Sequence, residues 1–108
     1  MGKRPSKRKI VSLNAELISG SKSYTGIIEN VGVKGVFIRI PSAESAIDFV
    51  PGATPQLKFQ SPSGETLNLQ CEIKWLHTYK TPSKDLINKI GMEIIDPPTI
   101  YTEFFKTL

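Results

Sequence analysis

The sequence predicts an all-β chain: six antiparallel strands forming a small barrel or sandwich, followed by a short C-terminal helix. Three observations carry this expectation. Apolar and polar residues alternate along several segments of the 108-residue chain. Gly, Pro, Ser and Asn cluster between those segments, where turns are needed. Helical spacing shows only in the C-terminal stretch "DPPTIYTEFFKTL".

Taken in order, Val11, Leu13, Ala15 and Leu17 alternate with Ser12, Asn14 and Glu16, the period of a half-buried strand. "SGSK" (Ser19 to Lys22) supplies a turn, and "YTGIIENV" resumes extended character with β-branched and aromatic residues. The two segments read as a hairpin. "NVGVKG" follows, and then "VFIRI" sets Val36, Ile38 and Ile40 on one face and Phe37 and Arg39 on the other. Pro41, Pro51, Gly52 and Pro55 punctuate a longer connection, within which "SAESAIDF" is expected to form a short helical turn. "QLKFQ" is a strand and "SPSG" the turn after it. In "ETLNLQCEIKWLH", Leu67, Leu69, Cys71, Ile73 and Trp75 share an apolar face, as in a long antiparallel strand with one wet side. "TYKTPSKDLINK" reads as a polar loop. "IGMEII" is the last strand, with Ile90, Met92 and Ile94 inward. Asp96 is placed to cap the helix, with Pro97 at its first position and Ile100, Phe104 and Leu108 on one face.

Composition narrows the function. Hydrophobic content of 39% and charged content of 22% are ordinary for a soluble domain. The length argues for one domain. No apolar run approaches a membrane span, and no signal peptide is read at the N-terminus. A single cysteine, Cys71, excludes an internal disulfide and a cysteine-based zinc site, and fits the cytoplasm. One histidine, His77, with no nucleophile–base pair or paired carboxylates in view, argues against an enzyme and against a metal centre. Cys71 and Trp75 are expected as core or rim residues, His77 as a solvated strand end, Phe104 and Phe105 as packing, and Arg39 as a solvent-facing strand residue.

The net charge is +4, and its placement matters more than its size. Lys3, Arg4, Lys7, Arg8 and Lys9 carry five positive charges, while the rest of the chain holds nine basic and ten acidic residues. The positive character therefore belongs to an N-terminal arm, residues 1–9, ahead of a near-neutral body, residues 10–108. Pro5 biases Arg4 towards extended geometry, and in a polyproline-like segment four residues span about 12 Å. Arg4 and Arg8 can then reach different parts of one anionic ligand. Guanidinium suits two-pronged contact with phosphate or with the O6/N7 edge of guanine. In "NVGVKG", Asn30 offers an amide, and Gly32 and Gly35 suit either a plain turn or a close approach to a ligand.

An RxxxR made by Arg4 and Arg8, followed 22 residues later by Asn30 at the head of a motif that ends at Gly35, resembles the signature of the PilZ domain family. "TGIIENVGVKGVFIRI", "VPGATPQLKF", "CEIKWLH" and "IGMEI" resemble further family segments along nearly the whole chain. One position departs: where the family's second motif has serine, this chain has Gly32. That removes one hydrogen bond, typically worth about 0.5–1.5 kcal/mol net.

The resemblance implies a six-stranded antiparallel β-barrel of PilZ type, with a mobile basic arm and a short C-terminal helix. It implies a receptor or adaptor for cyclic di-GMP, with no other cofactor and an unidentified protein effector as partner. Arg4 and Arg8 would clamp guanine edges and phosphates, and Asn30 would contact a guanine. Gly35 would allow the backbone turn, and Gly32 would let the ligand approach. Lys7 and Lys9 would add local field, and Lys34 is a further ligand-binding candidate. The ligand would order the arm against the barrel and so change a protein-interaction surface. Two alternatives stay open: a PilZ-like interaction module that does not bind the nucleotide, and a small basic barrel that binds single-stranded nucleic acid. The second needs aromatic platforms along a basic groove, against which the confinement of charge to one arm argues.

Overall fold

Six strands and one helix form from these patterns in chain order: β1 (Lys9–Ser19), β2 (Lys22–Val31), β3 (Gly35–Ser42), β4 (Gln56–Gln60), β5 (Thr66–Lys80), β6 (Leu86–Ile94) and α1 (Thr99–Lys106). The structure, a computed structural model, describes residues 8–42 and 49–108. Residues 43–48, the middle of the expected helical turn in "SAESAIDF", and the arm's Lys3, Arg4 and Lys7 lie outside the described residues. All pairings are antiparallel, and each strand has two neighbours, so the ring closes in the order β1-β2-β3-β6-β5-β4. Closure gives every strand a partner on both sides over part of its length, as in the four β1–β4 pairs Ala15–Phe59 to Ile18–Gln56.

Alternation fills the interior. Leu17, Ile28, Val36, Ile38, Leu57, Leu67, Cys71, Ile73 and Ile90 are wholly buried, and Ile40, Leu69, Met92 and Ile94 nearly so. The apolar faces expected of β3 and β6 therefore point inward. Asn88 is the fully buried polar side chain of this core. Its amide donates to the Ile40 carbonyl at 3.0 Å and its oxygen accepts from Thr78 Oγ1 at 2.7 Å, which offsets the cost of its burial.

Two hairpin turns share one chemistry. "SPSGE" (61–65) and "TPSKD" (81–85) each begin with a hydroxyl that accepts from the backbone N–H four residues on, at 3.2 Å in both. Each has the fourth-position N–H bonded back to the first carbonyl, Gly64 to Ser61 and Lys84 to Thr81. The fourth residue is left-handed in both, with φ +94° at Gly64 and +73° at Lys84. The second turn corrects the reading of "TYKTPSKDLINK" as a loop: β5 runs to Lys80, β6 starts at Leu86, and only five residues intervene. Polar residues in this stretch mark wet strand faces as much as the turn.

The helix also differs from expectation. It starts at Thr99 with Pro98 at the N-cap and no side-chain cap, and Asp96 is left-handed at φ +47° ahead of it. Proline at the cap supplies no N–H, so none is left without a partner there. Tyr101 and Phe104 form its buried face, with Ile100 and Leu108 only half-buried. The Phe104 ring meets that of Phe59 edge-on at 5.4 Å, which seats α1 against β4.

Candidate functional site

Three irregularities in the strand pairing converge on one place. The register shifts between Ile10 and Leu13 in β1–β2, between Ile28 and Asn30 in β2–β3, and between Ile73 and Trp75 in β5–β6. A bulge re-aims the side chains beside it. In β2 it turns both Glu29 and Asn30 away from the core, between buried Ile28 and Val31. In β5 it carries Trp75 to the outer face, 46% exposed. This corrects the placement of Trp75 on the apolar face, because simple alternation from Ile73 breaks at the bulge.

The re-aimed residues line up. Ile10 pairs with Asn30, Asn30 with Phe37, Phe37 with Gly91, and Gly91 with Trp75, in one row across the outside of five strands. The Trp75 indole lies so close over Gly91 that a Cβ there would collide with it. Its ring centroid is 5.3 Å from that of Phe37. At the far end of the row Ile10 is 88% exposed.

Charge flanks the row on two sides. On one, Lys89 Nζ stands 5.5 Å from the Phe37 ring centre, and Glu29 holds Arg39 at 2.7 Å and Lys89 at 3.9 Å. Arg39 is thus a paired, half-buried residue. On the other side, the Arg8 guanidinium lies against Gly35, where a Cβ would come within 2.9 Å of Arg8 Nη1. Gly35 does not sit in the left-handed region. Its role differs from the expected one: the missing side chain makes room for the arginine rather than for a turn.

Asn30 is the chemically unusual member. Its Oδ1 is buried and has no hydrogen-bond partner among the described residues. A buried amide oxygen left unpaired typically costs about 1–3 kcal/mol, so the site holds an acceptor that a ligand donor can satisfy.

The turn behind Asn30 is tied down from three directions. Gly32 N–H donates to the Gly35 carbonyl at 2.7 Å, and Ile94 N–H in β6 donates to the Lys34 carbonyl at 2.7 Å. The Tyr101 hydroxyl of α1 donates to the Gly32 carbonyl at 2.5 Å. Burial pushes the Tyr101 phenol above its ordinary pKa, and the nearby Arg8 charge pulls the other way.

The structure therefore brings Arg8, Asn30 and Gly35 to one surface. Gly32 is buried beneath it, with its carbonyl facing Tyr101, and Lys34 is exposed on the turn. Lys9 is half-buried and pairs with Val31, one position off the Asn30 row. Arg4 and Lys7 lie outside the described residues. Sequence reasoning missed Ile10, Phe37 and Tyr101 at this site, and put Trp75 elsewhere. Only Tyr101 had a signal, the spacing of residues 101, 104, 105 and 108 along one helix face.

A family model described as "PilZ domain" matches residues 2–103. The chain belongs to the PilZ domain family. Among solved structures, it is similar to the PilZ domain with c-di-GMP of YcgR from Escherichia coli, at TM-score 0.76 and 8% identity, over 97% of this chain and 87% of that one. It is also similar to the inhibitor of motility MotI/DgrA of Bacillus subtilis, at TM-score 0.68 and 13% identity, over 95% of this chain and 47% of that one. At these identities the likeness is one of PilZ fold. No curated protein sequence matches. Among the described residues, no group of three or more His, Cys, Asp or Glu is placed to hold a metal ion, and no helix is long and apolar enough to cross a membrane.

Proposed function

We propose that this PilZ chain is a cyclic di-GMP receptor whose site is the surface formed by Arg8, Asn30 and Gly35, completed by the basic arm. The observation that carries the reading is the buried Asn30 Oδ1, unpartnered among the described residues, on the turn whose Gly35 lies against the guanidinium of Arg8. Guanine presents N–H donors on the edge that an amide oxygen can accept, and O6 and N7 acceptors on the edge that suits arginine. The ligand's phosphates suit Arg4 and Arg8, with Lys7, Lys9 and Lys34 adding local field. The similar PilZ domain of YcgR, a structure with c-di-GMP, supports the same ligand for this chain.

Binding would act by ordering. Arg4 and Arg8 cannot both engage the nucleotide unless the arm between them is fixed against the barrel. The fixed arm then changes the surface offered to a protein effector, which is the output this reading assigns to the chain. Gly32 favours a second reading, an interaction module without the nucleotide, because it lacks the hydroxyl of the family's serine.

Titration calorimetry with cyclic di-GMP on wild type, Arg4→Ala and Arg8→Ala tests this. Each arginine lost should cost about 1–3 kcal/mol of binding. Wild-type binding untouched by both changes would remove the site assignment. No binding by a chain that is folded by circular dichroism would select the second reading.

A further inference from the structure

The turn that carries Asn30 and Gly35 is held from inside by a residue of the last helix. The Tyr101 side chain is wholly buried, and its hydroxyl reaches the Gly32 carbonyl at 2.5 Å, across 69 residues of chain. Arg8 sits close enough for its charge to act on that phenol. Tyr101 therefore lies beneath the surface whose outer side presents Arg8 and the unpartnered Asn30 Oδ1.

Helix α1 is held in place by its packing. It has eight residues and no side-chain N-cap bond. A helix so short is not stable alone in water and takes its place from packing. Its anchors are Tyr101 and Phe104, the latter against Phe59, with Ile100, Phe105 and Leu108 packed partly against the core. Among the described residues, the Tyr101 hydroxyl is what joins α1 to the turn by a hydrogen bond. When α1 is seated, the Gly32 carbonyl is fixed; when it lifts, that carbonyl loses its donor in a buried place.

We propose that Tyr101 is a positioning residue for the nucleotide site, and that it links the seating of α1 to occupancy of the site. The Tyr101–Gly32 bond holds the turn from Asn30 to Gly35 in the geometry that receives the ligand. Linkage is reciprocal: a ligand that immobilises the turn favours the seated helix, and anything that draws α1 away weakens the site. The binding part of this inference rests on the nucleotide reading above. The structural part, control of the turn by Tyr101, can be read without any ligand.

Tyr101→Phe removes the hydroxyl and keeps the ring. Amide hydrogen exchange on the free chain should show faster exchange at Gly32 and Ile94, both bonded within or onto the turn. The amides of Thr81 and Lys84 in the β5–β6 hairpin turn should be unchanged. In calorimetry, the dissociation constant for cyclic di-GMP should rise about five- to twenty-fold, as for loss of one donor to a buried acceptor. In wild type the nucleotide should slow exchange in α1, and in Tyr101→Phe that slowing should shrink.

Unchanged exchange at Gly32 and Ile94 in the folded variant would overturn the proposal. So would a uniform rise across all amides that matches a fall in global stability, since that is what a purely packing role gives. If wild type does not bind, the nucleotide reading fails and the exchange arm alone decides the role of Tyr101. If Tyr101→Phe does not fold, Phe104→Leu loosens α1 without touching the bond. It should then speed exchange at Gly32 and Ile94 ahead of Thr81 and Lys84, and equal acceleration everywhere would overturn the linkage.

Discussion

Replacing Asn30 by leucine should separate what the site costs the fold from what it does. Asn30 Oδ1 is buried and lacks a partner among the described residues. Leucine has nearly the same shape and brings no polar atom. Removal of an unsatisfied buried acceptor relieves a penalty of about 1–3 kcal/mol. Part of that gain is lost because the side chain is only half-buried, on the outer row beside Phe37. A net stabilisation of about 1 kcal/mol is expected, which in a domain of this size raises Tm by about 4–8 °C. Urea denaturation should show a higher midpoint with an unchanged slope. In parallel, cyclic di-GMP affinity should fall by about tenfold or more, because a good polar contact to a base is worth about 1–3 kcal/mol. A gain in stability with a loss of binding is the pattern of a group kept for function. Destabilisation by more than about 1 kcal/mol would refute the reasoning, because it would mean that the oxygen holds the fold together.

Three further outcomes follow from other residues. Gly35→Ala should leave stability within about 0.5 kcal/mol, because the Cβ crowds only the mobile end of Arg8, with Met92 O at an ordinary 3.5 Å. Its cyclic di-GMP affinity should drop as the guanidinium is displaced, and equal affinity by calorimetry would contradict the Arg8–Gly35 geometry. Lys84→Gly should stabilise the second hairpin turn by about 0.5–1 kcal/mol, since the left-handed conformation at φ +73° costs a side chain that the equivalent Gly64 does not carry; an unchanged Tm would argue against it. At alkaline pH the fold should weaken. Burial pushes the Cys71 thiol from 9.0 up to about 12, so the unfolded chain releases the proton first. Stability is therefore full below pH 9 and falls from there at about 1.4 kcal/mol per pH unit. Tyr101, also raised by burial, adds to the fall above its ordinary value of 10.0. Cys71→Ala should remove the part of the loss that begins near pH 9, as followed by denaturation at fixed pH steps.

The strands were legible where side chains obey a period of two. Val36, Ile38 and Ile40, and Ile90, Met92 and Ile94, announce their buried faces in sequence, and the structure buries all six. The misplacement of Trp75 and the hidden row of site residues come from register. A bulge adds a residue without changing composition, so Trp75 follows Ile73 at the right spacing for the core and still ends up outside. The row of Ile10, Asn30, Phe37 and Trp75 is assembled by register alone. No local pattern records which strands become neighbours across a closed ring. The hairpin at residues 81–85 was hidden differently: its turn repeats the chemistry of "SPSGE", but polar strand residues on either side blurred its ends. For the site itself, the motif spacing marked Arg8, Asn30 and Gly35, which the structure brings to one surface. It could not mark Tyr101, whose hydroxyl meets Gly32 from the other end of the chain.

The central claim is that the outer surface at Arg8, Asn30 and Gly35 receives cyclic di-GMP. Nuclear magnetic resonance of the isotope-labelled chain, titrated with the nucleotide, tests it most directly. The account predicts saturable shifts of the Asn30 side-chain amide, the Arg8 guanidinium and the backbone amides from Gly32 to Gly35, with the turn at 81–85 unmoved. Shifts confined to other faces of the barrel, or none at a concentration that saturates a known receptor, would contradict it.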